Sequence, residues 1–274
     1  MQKFADYPVI VNYNLHTRLR NERQETALHQ AKQYTQERDL IMKVSRTSDA
    51  SLKEFLWKQE LEEFEKGVCA LLQKIAGCPV GRKVLDLINK QTTVWIIPKS
   101  DDELKVCSCA LTSPLNYDIP KDGSYAYGSG YGDTVILYNT RLDDDTLLHE
   151  LVHAYRYSNK KYKESWLMVD NDGDKYRQNI EEFFAHEIEN VYHSQMSEGL
   201  TKDYKKEEPA DKDKIYDFLA LNLPLINAMK TLLQHDTLAS TAACCFAADY
   251  NPFRDCAEIE ARYKQYKAML GDDL

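Results

Sequence analysis

Two histidines four residues apart, with a glutamate directly after the first, stand in Thr146-Leu147-Leu148-His149-Glu150-Leu151-Val152-His153-Ala154. On a helix, positions four apart lie one turn apart on the same face, so His149 and His153 can present two imidazoles to one metal ion. Glu150 turns to the edge of that site, where its carboxylate can take a proton from metal-held water rather than bind the metal itself. The pattern is short. With seven His in 274 residues, chance alone produces it in about one such chain in a hundred. Its surroundings narrow the odds: Leu147, Leu148, Leu151, Val152 and Tyr155 supply an apolar stripe through the same turns, and Asp143, Asp144 and Asp145 offer an N-cap and first-turn acids.

Two histidines leave a catalytic zinc one protein ligand short. Residues 179–192 read as a second helix, with Ile180, Phe183, Phe184, Ile188 and Val191 apolar at three- and four-residue steps. Glu182, His186, Glu189 and His193 fall along a neighbouring stripe. Glu181 and Glu182 compete as ligands, but they sit about 100° apart around a helix, so only one of them can point at the metal. His186 and His193 read as polar-face residues rather than ligands.

With these residues the chain resembles the gluzincins, zinc metallopeptidases whose third ligand is a Glu on the helix after the H-E-x-x-H helix. More narrowly, Glu182-Phe183-Phe184-Ala185 is similar to the E-F-F-A stretch on that helix in the catalytic domain of anthrax lethal factor. The resemblance implies zinc held by His149, His153 and Glu182, with Glu150 as the general base. It also implies a tyrosine upstream of the ligand Glu that hydrogen-bonds the tetrahedral intermediate, a position close to Tyr176. The family's further Glu, four residues beyond the ligand, is His186 here. The run Gly128-Ser129-Gly130-Tyr131-Gly132-Asp133, leading through Thr134–Asn139 to the zinc helix, is similar in arrangement to bacterial secreted zincin effector proteases. The resemblance covers roughly residues 130 to 195.

The function so implied is zinc-dependent endopeptidase activity by Glu-assisted attack of zinc-bound water, in a bacterial effector or toxin acting on proteins of a target cell. Two alternatives stay open: a housekeeping bacterial metallopeptidase, and a binding protein that keeps a zincin scaffold without turnover. The implied partners are a protein or peptide substrate, added as a strand along Thr134 to Asn139, and a secretion chaperone or immunity protein.

The elements that must position these groups suggest an α+β, zincin-like fold, mostly helical, with a small mixed sheet whose edge strand precedes the H-E-x-x-H helix. Three regions are expected: an N-terminal helical region over 1–90, a catalytic core over 91–200, and a C-terminal helical region over 201–274. Leu15 to Met42 is polar and helix-prone, a long surface helix or a partner-binding arm. Ser51 to Ile75 has the periodicity of a half-buried helix ended by Gly77-Cys78-Pro79, and Val80 to Asn89 adds a short one. Strands are expected at Thr92 to Ile97, around Lys105 to Leu111, and at Thr134 to Tyr138. The Gly/Ser/Tyr-rich stretch Ser124 to Gly132 is a cleft-flanking loop or a plain connection. Asp170-Asn171-Asp172-Gly173-Asp174 has its glycine too early for an EF-hand loop and no closing Glu, so it is read as a turn. Lys202 to Lys214 is the linker candidate. Helices are expected over Ile215 to Leu233, Thr237 to Ala248 and Arg254 to Leu270, with Cys244-Cys245-Phe246 in the core.

Hydrophobic residues at 43% with 29% charged exclude a disordered chain. No apolar run approaches 18 residues, so no membrane partner is expected, and Met1–Asp6 lacks a hydrophobic signal core. These features predict a cytoplasmic chain, or one secreted without a cleaved signal peptide, including delivery into a target cell. The seven cysteines form no C-x-x-C pair, which suits reducing conditions, and Cys107-Ser108-Cys109 reads as one face of a strand. A net charge of −9 argues against a nucleic-acid partner and favours a basic substrate only modestly.

Overall fold

The computed structural model describes residues 2–11, 50–98, 110–114, 134–138, 143–163, 165–202 and 209–270. These form a mixed α+β structure that divides into two compact units, Met1–Gly77 with Leu85–Lys160, and Cys78–Val84 with Lys161–Leu274. The expected 15–42 helix, the Cys107-Ser108-Cys109 strand face and the 124–132 loop lie outside the described residues.

In the first unit, short β-branched runs make one five-stranded sheet. Its strands are β1 (Gln2–Lys3), β2 (Val9–Val11), β3 (Val94–Pro98), β4 (Leu111–Pro114) and β5 (Thr134–Tyr138). The spatial order is β1-β2-β3-β5-β4; β2, β3 and β5 run parallel, and β1 and β4 pair antiparallel at the two ends. Residues two apart share a face of a strand, and Val94, Ile96, Thr134, Ile136 and Tyr138 are all buried. The first ninety residues are therefore not wholly helical, because β1 and β2 belong to the sheet.

The expected edge strand is corrected here. Thr134–Tyr138 lies inside the sheet with β3 on one side, in register from Val94↔Thr134 to Pro98↔Tyr138, and β4 on the other. Its backbone groups are already spent on two neighbours, so it has no open edge for an added strand. Among the described residues that edge belongs to β4.

Helix α1 (Ala50–Gly77) ends at a glycine, and α2 (Pro79–Leu87) opens on a proline, whose missing N–H costs nothing in a first turn. Val68, Leu72 and Ile75 of α1 are fully buried. Helix α3 (Asp144–Ser158) carries the H-E-x-x-H residues and packs on α1, β4 and β5. Asn89 and Asn159 tie its C-terminus, Asn89 N–H donating to Ser158 Oγ at 3.2 Å and Asn159 Nδ2 to the Leu87 carbonyl at 2.8 Å.

The second unit begins its long segment with a hairpin that the sequence reading missed, β6 (Trp166–Asn171) and β7 (Asp174–Asn179). The aspartate-rich stretch is its two-residue turn: Asp172 and Gly173 have φ of 56° and 88° between the paired Asn171 and Asp174. Two successive positive φ values match the right-handed twist of the flanking strands. Helix α4 (Ile180–Met196) follows directly, then the short pair β8 (Leu200–Thr201), just ahead of the expected linker, and β9 (Pro209–Ala210), within it. The last helices are α5 (Lys212–Leu221), α6 (Leu223–His235), α7 (Thr237–Cys245) and α8 (Cys256–Leu270). One helix expected over 215–233 is two, broken at Asn222 ahead of Pro224. The buried Asn222 amide donates to the carbonyls of Asp170 and Phe218 and accepts from Asp170 N–H, which ties the break to β6. Cys244 and Cys245 are exposed at the end of α7, against the core expectation, while Phe246 is buried. Among the described residues no helix is long and apolar enough to cross a membrane.

Candidate metal centre

Helix α3 holds His149 and His153 one turn apart, their rings edge to face with centroids 4.9 Å apart and planes at 74°. Both are buried, at 6% and 5% exposure, and so is Glu150 between them in sequence, at 6%. Three polar side chains sunk on one helix are costly unless something answers each of them. For Glu150 the answer is Thr112 on β4, whose Oγ1 lies 2.5 Å from Oε2 and 3.1 Å from the Glu150 backbone carbonyl. A hydroxyl has one proton to donate, and the shorter contact to the carboxylate takes it. The carboxylate is thereby fixed in place from the sheet. Thr112 is the residue that sequence reasoning missed. No spacing rule joins position 112 to position 150, and Thr112 falls just past the strand expected around Lys105 to Leu111.

The start of α3 uses its three aspartates differently from a simple cap. Asp143 stands at the N-cap with extended backbone, but its side chain makes no capping bond. Asp145 Oδ1 instead accepts from Thr146 N–H at 2.5 Å, and Asp144 pairs with Lys74 at 2.8 Å. The Tyr138 phenol, at the end of β5, donates to the Asp143 carbonyl at 2.8 Å. Burial, followed by the carboxylates of Asp145, Asp143, Asp144 and Glu150, raises its pKa far above that of an ordinary tyrosine, so it stays a donor.

On α4 the N-cap Asn179 accepts from Glu181 N–H at 2.9 Å. Glu181 and Glu182 both stand in the first turn of α4. Glu181 is buried with its Oε1 accepting from the Lys163 backbone N–H at 2.8 Å, so its carboxylate is engaged in holding the chain ahead of the hairpin. His149 and His153 are a buried imidazole pair in the first unit, and Glu182 stands in the first turn of α4 in the second. Two imidazoles and a carboxylate are the ligand types and number that a catalytic zinc takes from a protein.

The remaining candidates fall elsewhere in the second unit. His186 and His193, expected on a polar face, are buried. His186 Nε2 lies 2.7 Å from Thr201 Oγ1 and its Nδ1 lies 3.7 Å from a Glu187 carboxylate oxygen, while the Tyr250 phenol donates to the other Glu187 oxygen. Burial and the Glu187 carboxylate hold the Tyr250 pKa well above its ordinary value. Tyr176 sits on the buried face of β7, opposite Val169, and lines a small cavity with Gln178, Phe183, His186 and Lys202. No family model, no curated protein and no solved structure matches this chain.

Proposed function

We propose that this protein is a zinc-dependent endopeptidase of the zincin type, with His149, His153 and Glu182 as metal ligands and Glu150 as general base. The observation that carries the reading is the buried His149–His153 pair on one helix face, with Glu150 pinned by Thr112; Glu182 as third ligand is supported by the resemblance. A bound zinc ion would polarise the scissile carbonyl and make water acidic enough to react near neutral pH. Glu150, restrained by Thr112, accepts the proton of the attacking water and returns it to the leaving amine. Tyr176 is the proposed donor to the developing oxyanion, supported by the resemblance.

Substrate would run along β4, which with β1 ends the sheet among the described residues, where main-chain hydrogen bonds would hold an extended peptide with little demand on its side chains. The resemblance further suggests proteins of a target cell as substrates.

The test compares wild type with Glu150→Gln and His149→Ala. Removing a general base lowers the rate by about 10²–10⁴-fold. Glu150→Gln is expected to keep one zinc per chain by elemental analysis and to lose cleavage of an unfolded protein substrate. His149→Ala should lose the zinc. Undiminished cleavage by metal-loaded Glu150→Gln would sink the mechanism.

A further inference from the structure

The hairpin β6–β7 has two unlike faces. Val169, Tyr176 and Gln178 turn into the second unit and are buried, whereas Trp166 and Met168 point outward at 46% and 57% exposure. Met168 lies directly across from Arg177, and the Arg177 guanidinium stacks over the Trp166 ring at 5.1 Å from its centroid. Among the described residues five large apolar side chains are exposed. Two are Trp166 and Met168, and two more, Leu221 and Leu223, flank Asn222, whose amide is hydrogen-bonded to the backbone of β6 at Asp170. Exposed apolar side chains scattered singly need no explanation, but Trp166 and Met168 stand two residues apart on the same face of one strand.

The charge on this face says what kind of group belongs there. Lys175 has Asp170 across from it at 3.9 Å, but Arg177 has no carboxylate at ion-pair distance among the described residues. Stacking on an indole fixes the guanidinium plane while leaving its N–H groups available for a carboxylate. Trp and Arg side by side, with Met adjacent, are the residue types that dominate binding energy in protein interfaces.

We infer that the outer face of β6–β7 docks a polypeptide segment in which a carboxylate side chain stands next to large apolar ones, the carboxylate meeting Arg177 and the apolar groups covering Trp166 and Met168. A second copy of this chain is the poorer occupant, since each copy brings a net charge of −9 against the other, and an anionic bilayer meets the same repulsion. A short segment with one carboxylate does not. Binding itself is independent of turnover; its role as a substrate-docking face rests on the proposed peptidase activity, and Asn179 at the end of β7 caps the helix that carries Glu182.

The probe is a fluorescent Gly/Ser dodecapeptide with a central Leu-Glu-Leu, alongside versions carrying Leu-Gln-Leu, Leu-Lys-Leu and Ala-Glu-Ala. Anisotropy is read on the full chain carrying Glu150→Gln, so that cleavage does not enter. Leu-Glu-Leu is expected to bind about tenfold more tightly than the other three. Arg177→Gln should erase the preference for Glu over Gln, and Trp166→Ala should weaken both Leu-containing peptides about tenfold with an unchanged melting curve. Equal affinity for Leu-Glu-Leu and Leu-Gln-Leu, or binding indifferent to both variants, overturns the inference. So would a dimer in sedimentation, or binding to phosphatidylserine vesicles, that Trp166→Ala abolishes while peptide binding is absent. Failure of the peptidase reading shows separately, in zinc content and hydrolysis by the Glu150 protein, and leaves this binding readout standing.

Discussion

Replacing Thr112 by Val removes one hydroxyl from the sheet while keeping shape and β-branching. Both partners are buried, and the lost hydrogen bond at 2.5 Å ends on a carboxylate. A hydrogen bond to a charged group contributes about 1.5–3 kcal/mol, and the buried Glu150 carboxylate left behind loses its donor from the sheet. The metal-free protein should therefore lose about 1.5–3 kcal/mol of stability at neutral pH, which for a chain of this size lowers Tm by about 5 °C. Thr112→Ser keeps the hydroxyl and loses only a methyl group, so it should fall by no more than about 1 kcal/mol. In the proposed reaction the same bond aims the base. Thr112→Val is expected to lower kcat by about 10–100-fold with zinc content unchanged, whereas Thr112→Ser stays within a few-fold. The assay is thermal unfolding of metal-free protein, paired with hydrolysis of an unfolded protein by the metal-loaded form. A Thr112→Val protein as stable as wild type would refute the argument that this hydroxyl anchors Glu150, whatever the catalytic result.

Other expectations come from the second unit. Asn222→Ala removes three hydrogen bonds from a buried amide and should cost about 2–4 kcal/mol in denaturant unfolding. Gly173→Ala meets no atom within 4 Å, so its cost of about 1 kcal/mol should arise from φ alone and appear in the same experiment. Tyr250→Phe leaves the buried Glu187 carboxylate without its phenol donor and should destabilise by about 1.5–3 kcal/mol in denaturant unfolding. Burial raises the Asp255 pKa, but hydrogen bonds from Arg254 and Tyr216, with the charges of Arg254 and Lys212, outweigh it and hold the carboxyl below its ordinary value. The stabilisation is present above the unfolded-state pKa and is lost as pH falls through the lower folded value, so Asp255→Asn should flatten the acid limb of a stability-against-pH curve.

What the sequence disclosed follows from the range of each signal. The two helices that carry the candidate ligands were legible because apolar steps of three and four repeat through 144–158 and 180–196, and periodicity is a local property. Thr134–Tyr138 was legible as a strand for the same reason. Its place inside the sheet was not, because strand order depends on β4 arriving from elsewhere in the chain, which no alternation pattern encodes. The turn was legible in Asp170–Asp174, but the strands on either side of it were lost because the outer face carries Trp166 and Met168, so β6 does not alternate apolar and polar. Helix geometry alone left Glu181 and Glu182 open, and the gluzincin resemblance favoured Glu182. The Lys163 backbone N–H that the Glu181 carboxylate accepts from lies 18 residues away, beyond the reach of a local pattern.

The second unit is discontinuous: Cys78–Val84 belongs to it, although the chain then leaves for 76 residues, 85–160, before returning. Gln195 records this closure, its Oε1 accepting from Val80 N–H at 3.1 Å and lying 2.9 Å from Cys78 Sγ, across 115 and 117 residues. Contacts of such long range form late and slow folding down, since loop closure must be met before they return anything. A fragment starting at Lys161 would contain every helix from α4 to α8 and still lack the strip that Gln195 holds. During synthesis the piece over 78–84 must wait, already made, until residue 195 has left the ribosome, so the order of emergence and the order of assembly run opposite ways in this protein.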